Sequence, residues 1–151
     1  MLRLTKKLLF AIEAVLDIAY NAGPLPVQSS EITRRQGIPR RYLEQALQQL
    51  VRAGILSGVR GPRGGYRLAR ERRRITVGDI VRVVRSIEGG EDPTRDEAGA
   101  ELGLKVVRPL WTELQEEVMQ RLDGVTLEDL CLRAHRAGVS GEFAARFDFS
   151  I

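Results

Sequence analysis

The sequence predicts a mainly α-helical fold carrying one small β-hairpin and a long C-terminal helix. Three observations carry that expectation. Apolar residues recur at helical spacing in both halves, a Gly/Pro-rich tip separates two short strand-like runs, and two Thr-x-x-Asp strings stand where helices would begin. The 151 residues suit one ordinary domain, or a small domain with an appendage. With 43% hydrophobic and 29% charged residues, the composition is that of a globular chain and not a disordered one.

Leu8, Ala11, Ile12, Val15 and Ala19 define a first helix, with Glu13 and Asp17 expected on its other side, and Gly23-Pro24 stops it. Residues 29–36 form a short segment of low apolar content that ends at Gly37. Pro39 then opens a further helix, since its missing donor costs nothing in a first turn. That helix places Leu43, Ala46, Leu47, Leu50 and Val51 on one face and Arg41, Glu44, Gln45, Gln48 and Arg52 on the opposite one, and Gly54 closes it. Strand-like runs at 55–59 and 66–69 flank the tip Arg60-Gly61-Pro62-Arg63-Gly64-Gly65. Thr76/Asp79 and Thr126/Asp129 mark two helix starts; the first helix extends through about Ile87. Residues 89–105 are polar, acidic and interrupted by Gly89, Gly90, Pro93 and Gly99, a loop. A long helix follows to about Asp123.

This order is that of a winged helix–turn–helix. In such a unit the second helix of the pair enters the major groove with polar residues at base edges. The forked donors and acceptors of Arg and Gln match guanine and adenine, and Arg40, Arg41, Glu44, Gln45 and Gln48 form such a set. Periodicity alone fits an ordinary amphipathic surface helix equally well. The hairpin directly afterwards reads as a wing, whose Arg60, Arg63 and Arg67 would meet phosphates or the minor groove. Its glycines are not followed by Lys-Ser or Lys-Thr and a helix, which argues against a nucleotide-cradling loop. Arg70, Arg72, Arg73 and Arg74 extend the basic stretch, either onto the nucleic-acid backbone or into solvent.

Charge supports a polyanionic partner. The net charge is +4, but residues 1–75 carry 15 Lys/Arg against 5 Asp/Glu, a balance of +10, while residues 76–151 stand at −6. No run of about 18 apolar residues spans a bilayer. The N-terminus has basic residues before an apolar run, as a signal peptide would, but Glu13 and Asp17 interrupt it and no clean cleavage site follows; a cytoplasmic location is expected. The single cysteine, Cys131, rules out an intrachain disulfide framework and fits a reducing compartment. One histidine, no nucleophile with an evident base and no pair of ligand histidines beside a glutamate argue against an enzyme. Asp92, Asp96, Glu97 and Glu101 read as solubility.

The chain resembles the IscR/NsrR-type (Rrf-two) family of winged-helix bacterial transcription regulators. The resemblance rests on Arg3-Leu4-Thr5-Lys6, Tyr42-Leu43-Glu44-Gln45, Val59-Arg60-Gly61-Pro62-Arg63-Gly64-Gly65-Tyr66-Arg67-Leu68 and Ile75-Thr76-Val77-Gly78-Asp79-Ile80-Val81. Leu110-Trp111 and Val125-Thr126-Leu127-Glu128-Asp129-Leu130 continue it. It implies that polar residues after the turn, Tyr42 among the matching string, contact DNA and that a wing arginine reaches the minor groove or backbone. Pro39 and Arg40 depart from the Ser-containing sequence of many members, so the operator does not carry over.

Three regions are therefore expected: a DNA-binding domain at 1–88, a loop or sensing region at 89–105, and a dimerisation helix with a C-terminal helical segment at 106–151. Val107, Trp111, Leu114 and Val118 are spaced four, three and four apart, with Leu110 beside them, a seam fit for a partner helix. Spacing alone equally allows burial against the chain's own domain. The charge division and the resemblance favour a homodimer presenting two recognition helices to near-palindromic double-stranded DNA.

Family members holding iron–sulfur clusters supply three cysteines from the loop before the long helix. Residues 89–107 contain none, and Lys105 and Arg108 stand at ligand positions, where cations would repel iron; no cofactor is expected. Cys131 and His135, four apart, would offer a zinc set only across a dimer, and a lone cysteine between Leu130 and Leu132 reads first as a small buried hydrophobe. A redox role needs an accessible thiolate. The expectation is a dimeric repressor. The alternatives are an adaptor whose acidic half binds an unidentified protein partner, and a regulator answering a small-molecule or redox effector near the 89–105 loop.

Overall fold

A computed structural model describes residues 3–141; the remainder of the expected C-terminal segment, 142–151, lies outside the described residues. Helix α1 (Lys6–Tyr20) begins where Thr5 Oγ1 accepts from the Leu8 amide at 3.2 Å. Leu8, Ala11, Val15 and Ala19 are buried as their spacing requires, and Ile12 packs partly buried beside them. Asp17 departs from the expected solvent face. Its side chain is buried and accepts from Arg35 and Gln36 of α2 (Ser29–Gln36). Its position eighteen residues from its partner leaves no local signal.

Gly37, at φ +66°, ends α2 in the left-handed conformation that glycine adopts without cost. The chain turns through buried Ile38 into α3 (Arg40–Arg52), with Pro39 capping the helix from outside. Leu43, Leu47 and Leu50 are each at most 1% exposed. Burying such side chains contributes roughly 1.5–3 kcal/mol apiece, enough to hold α3 against α1 and expose its polar face.

Strands β1 (Leu56–Val59) and β2 (Gly65–Leu68) pair antiparallel, Leu56 opposite Leu68 and Val59 opposite Gly65. The hairpin is joined by Val27, which exchanges backbone hydrogen bonds of 2.9 and 2.7 Å with Tyr66. A Cβ on Gly65 would lie 2.5 Å from the Val27 carbonyl oxygen, so only glycine permits this approach.

Helix α4 (Val77–Glu88) starts at a reciprocal capping box between Thr76 and Asp79, and α6 (Leu127–Arg136) repeats the device with Thr126 and Asp129. The two starts are bonded together: Val77 donates to the Val125 carbonyl and Leu127 to that of Ile75, both at 2.9 Å. Helix α5 (Arg108–Asp123) is entered through a wide π-helical turn, Gly103–Val107, so the helical path begins within the expected 89–105 loop.

Helix α6 does not belong with α5. Leu127 and Cys131 are fully buried in the same apolar cluster as α1 and α3, because the Thr76–Thr126 bridge returns the chain to the first domain. Residues on both sides of position 106 therefore contribute to one apolar cluster. Among the described residues, no helix is long and apolar enough to cross a membrane.

Candidate nucleic-acid interface

Helix α3 advances about 100° per residue, so Arg41, Gln45, Gln48 and Arg52 fall within an arc of about 60° opposite the leucine face. All four are exposed. Arg40 and Glu44 border this stripe and engage each other, Arg40 Nε donating to Glu44 Oε1 at 2.9 Å. With side chains 78% and 51% exposed, the pair is solvated and free to open. Tyr42 lies towards α1: its ring stands 6.3 Å from that of Phe10, and Lys7 Nζ sits 6.0 Å over it. It borders the interface and carries a cation with it.

Arg60 and Arg63 stand exposed at the wing tip. Arg67 does not join them. Its guanidinium donates to the carbonyls of Gly23 and Pro24 at 3.2 and 2.6 Å, fastening β2 to the loop after α1. A strand residue one position from the Tyr66–Val27 bridge is directed to that loop, which the spacing of arginines does not reveal. Of the basic run that follows, Arg70 faces Asp79 at 3.8 Å, Arg72 faces Glu128 at 3.6 Å and Arg73 pairs with Glu71 at 2.6 Å. Exposed arginines therefore stand both on the α3 stripe, at Arg41 and Arg52, and at the wing tip, at Arg60 and Arg63.

The expected dimerisation residues share one exposed apolar face. Val107, Leu110, Trp111, Leu114 and Val118 are each 42–58% exposed, and Leu102 and Val106 extend the patch. No residue of α5 is buried; Met119 and Leu122 alone lean on the core from this helix. Among the described residues the seam is not buried against its own domain, the alternative left open by spacing. Contiguous apolar surface of this kind marks an interaction face.

The loop before α5 is held by protein groups. Asp92 accepts from the amide and hydroxyl of Thr94, which holds its carboxyl below the usual range. The Arg108 guanidinium donates to the carbonyls of Asp96 and Ala98, while Lys105 pairs with Glu101 at 2.9 Å. Residues 89–107 offer no thiol or imidazole, and Cys131 lies fully buried on α6 with burial pushing its thiol up to about 11. His135 is exposed one turn on, so the two do not share a solvent-facing site. Among the described residues, no group of three His, Cys, Asp or Glu side chains converges on a point that would hold a metal. These residues do not fit an iron–sulfur cluster.

Comparison with known proteins gives a consistent picture. Residues 4–133 match the family model Rrf2, described as an iron-dependent transcriptional regulator. The HTH-type transcriptional regulator IscR of Klebsiella pneumoniae strain 342 is 37% identical over 143 residues, covering 93% of this chain and 86% of its own. The Escherichia coli IscR is 36% identical over the same shares. Among solved structures, T. potens IscR superposes with a TM-score of 0.73 at 33% identity, covering 92% of this chain and 93% of that one. The global cysteine regulator CymR of B. subtilis gives 0.70 at 32%, covering 88% and 98%.

Proposed function

Because the chain belongs to the Rrf2 family of DNA-binding transcriptional regulators, we propose that it acts in the cytoplasm as a homodimeric repressor on a near-palindromic operator, without a family-type iron–sulfur cluster. The observation that carries this reading is the pairing of two exposed faces on one chain. A polar stripe on α3 stands opposite a buried leucine face, and among the described residues an apolar seam on α5 stands about half exposed.

Two α5 helices laid seam to seam bury Trp111, Leu114 and Val118 and present two α3 helices to half-sites one helical turn, or a multiple of it, apart. Arg41, Gln45 and Gln48 then read base edges, with Arg40 and Glu44 contributing once their mutual bond opens. Arg60 and Arg63 neutralise phosphates or enter the minor groove, releasing counterions. Tyr42 positions Lys7 near the backbone. Occupying the operator excludes other proteins from it, which is repression. The named relatives are transcriptional regulators, and catalysis has no place in this scheme.

In place of a cluster, Arg108 and the Asp92 and Asp96 turns hold the 89–100 segment. A second reading, an effector-responsive regulator, is favoured by a half-open cleft of about 590 Å³ beside that segment, lined by Arg3, Thr5, Arg85, Glu88, Asp92 and Arg95. Selection of bound duplex from a random pool, with and without candidate metabolites, tests both. A palindromic consensus supports the regulator; no selected sequence would point instead to an adaptor for proteins.

A further inference from the structure

No residue of α5 is buried, yet the direction of this helix determines where a second recognition helix would stand. Its inner face leans on the core through Met119 and Leu122, both only partly buried. At its last residue the attachment changes character. Arg82, on the exposed side of α4, donates Nη1 to Asp123 Oδ1 at 2.7 Å and Nη2 to Asp123 Oδ2 at 2.6 Å, a two-pronged clamp. Such fork-to-fork pairs fix orientation as well as distance. Arg82 lies 3.9 Å from Asp79 as well, so the clamp is tied to the capping box that starts α4.

Beneath the clamp lies Gly78, buried in the first turn of α4. A Cβ there would overlap the Asp123 carboxylate and approach the Asp123 backbone nitrogen to 3.1 Å. A glycine inside a helix is otherwise unfavourable, and here it admits the end of α5. One residue beyond, Gly124 leads into the Val125–Val77 and Leu127–Ile75 backbone bonds. The start of α4 and the end of α5 are therefore locked at one point. Helix α4 also packs against α1 and α3, so the route from recognition stripe to dimer seam passes through that point.

We propose that Arg82 and Asp123, seated over Gly78, form the positioning joint that sets the separation and angle of the two recognition helices, and hence the half-site spacing the dimer accepts. The inference rests on the dimeric regulator reading above. Neither residue touches DNA; both act through α3 of their own chain. Loosening the joint leaves each half able to bind but removes the geometric match that makes two-site engagement stronger than one-site engagement.

The test uses the full chain and a duplex selected by the wild type, remade with its half-sites moved apart or together by single base pairs, alongside a duplex carrying one half-site. Variants Asp123→Ala and Gly78→Ala loosen the joint by different routes, one by removing charge and one by adding bulk, and the exchange Arg82→Asp/Asp123→Arg restores opposite charges. The single variants are expected to remain dimeric by light scattering and to bind the one-half-site duplex as the wild type does. They should lose about tenfold in affinity at the selected spacing, with a flattened spacing profile. The exchange variant should regain much of the profile. An unchanged profile in both single variants overturns the joint while leaving the regulator reading intact, as does an equal loss on the one-half-site duplex, which would be a general fold defect. A wild type that selects no duplex overturns the regulator reading and the joint together.

Discussion

Arg35 grips the buried carboxylate of Asp17 with both prongs of its guanidinium, Nε to Oδ2 at 2.9 Å and Nη2 to Oδ1 at 2.8 Å, and Gln36 adds a third bond at 2.8 Å. This cluster ties α2 to the middle of α1. The Asp17 side chain is fully buried, and these three bonds satisfy oxygens that water does not reach. The orientation of the turn leading into α3 follows from it.

Removing one side of that pair should be costly. Asp17→Ala is expected to lower unfolding stability by about 3 kcal/mol, because Arg35 is left with its main anionic partner gone. Asp17→Leu/Arg35→Met, which replaces the pair by packed apolar groups, should recover most of the loss. Urea denaturation at pH 7 measures both.

The α5 seam should be required for association. Trp111→Glu places a charge at the centre of the exposed apolar face and is expected to yield a folded monomer. Sedimentation equilibrium reads the mass and circular dichroism the retained helices. A variant that stays dimeric would remove the seam from the interface.

Cys131 should behave as a core residue. Burial raises its thiol from 9.0 to about 11, so the folded state holds the proton more tightly than the unfolded state. The associated stability is complete below pH 9 and is lost as pH rises from 9 towards 11. Cys131→Ala should lack that alkaline slope. A thiol reagent should leave the native protein unmodified at pH 7 and react after denaturation.

Iron should not govern DNA binding. Arg108 holds the Asp96 and Ala98 carbonyls, so chelation or addition of ferrous iron is expected to leave affinity unchanged. Arg108→Ala should speed amide hydrogen exchange in residues 96–100 while the α1–α3 amides keep their protection.

Local patterns in the chain were enough to read the helices and the wing, because caps, periodicity and turn residues act within a few positions. The alternating faces of α3 and the twin Thr/Asp boxes are of this kind. What escaped depended on distant partners. Asp17 reads as a solvent-facing partner of Glu13 until Arg35 is brought beside it. Arg67 reads as one more wing cation until the Gly23 and Pro24 carbonyls meet it. Val27 carries no strand signal, since its single bridge is made by the hairpin's arrival. The burial of Leu127 and Cys131 is equally non-local: they meet the core beside a bridge between Thr76 and Thr126.

The wing should contribute affinity without sequence preference. Arg60→Ala and Arg63→Ala are each expected to weaken binding uniformly across duplexes and to reduce the salt slope by about 0.9. Titrations between low and moderate salt resolve that change.

The reading stripe on α3 is tested most directly by fluorescence anisotropy of Arg41→Ala/Gln45→Ala on the selected operator and on a scrambled duplex of equal length. The preference for the operator should fall by roughly 1–3 kcal/mol for each base that is no longer read, with scrambled binding reduced only by the missing charge. A double variant that keeps the full wild-type preference would contradict the assignment of α3 as the recognition helix.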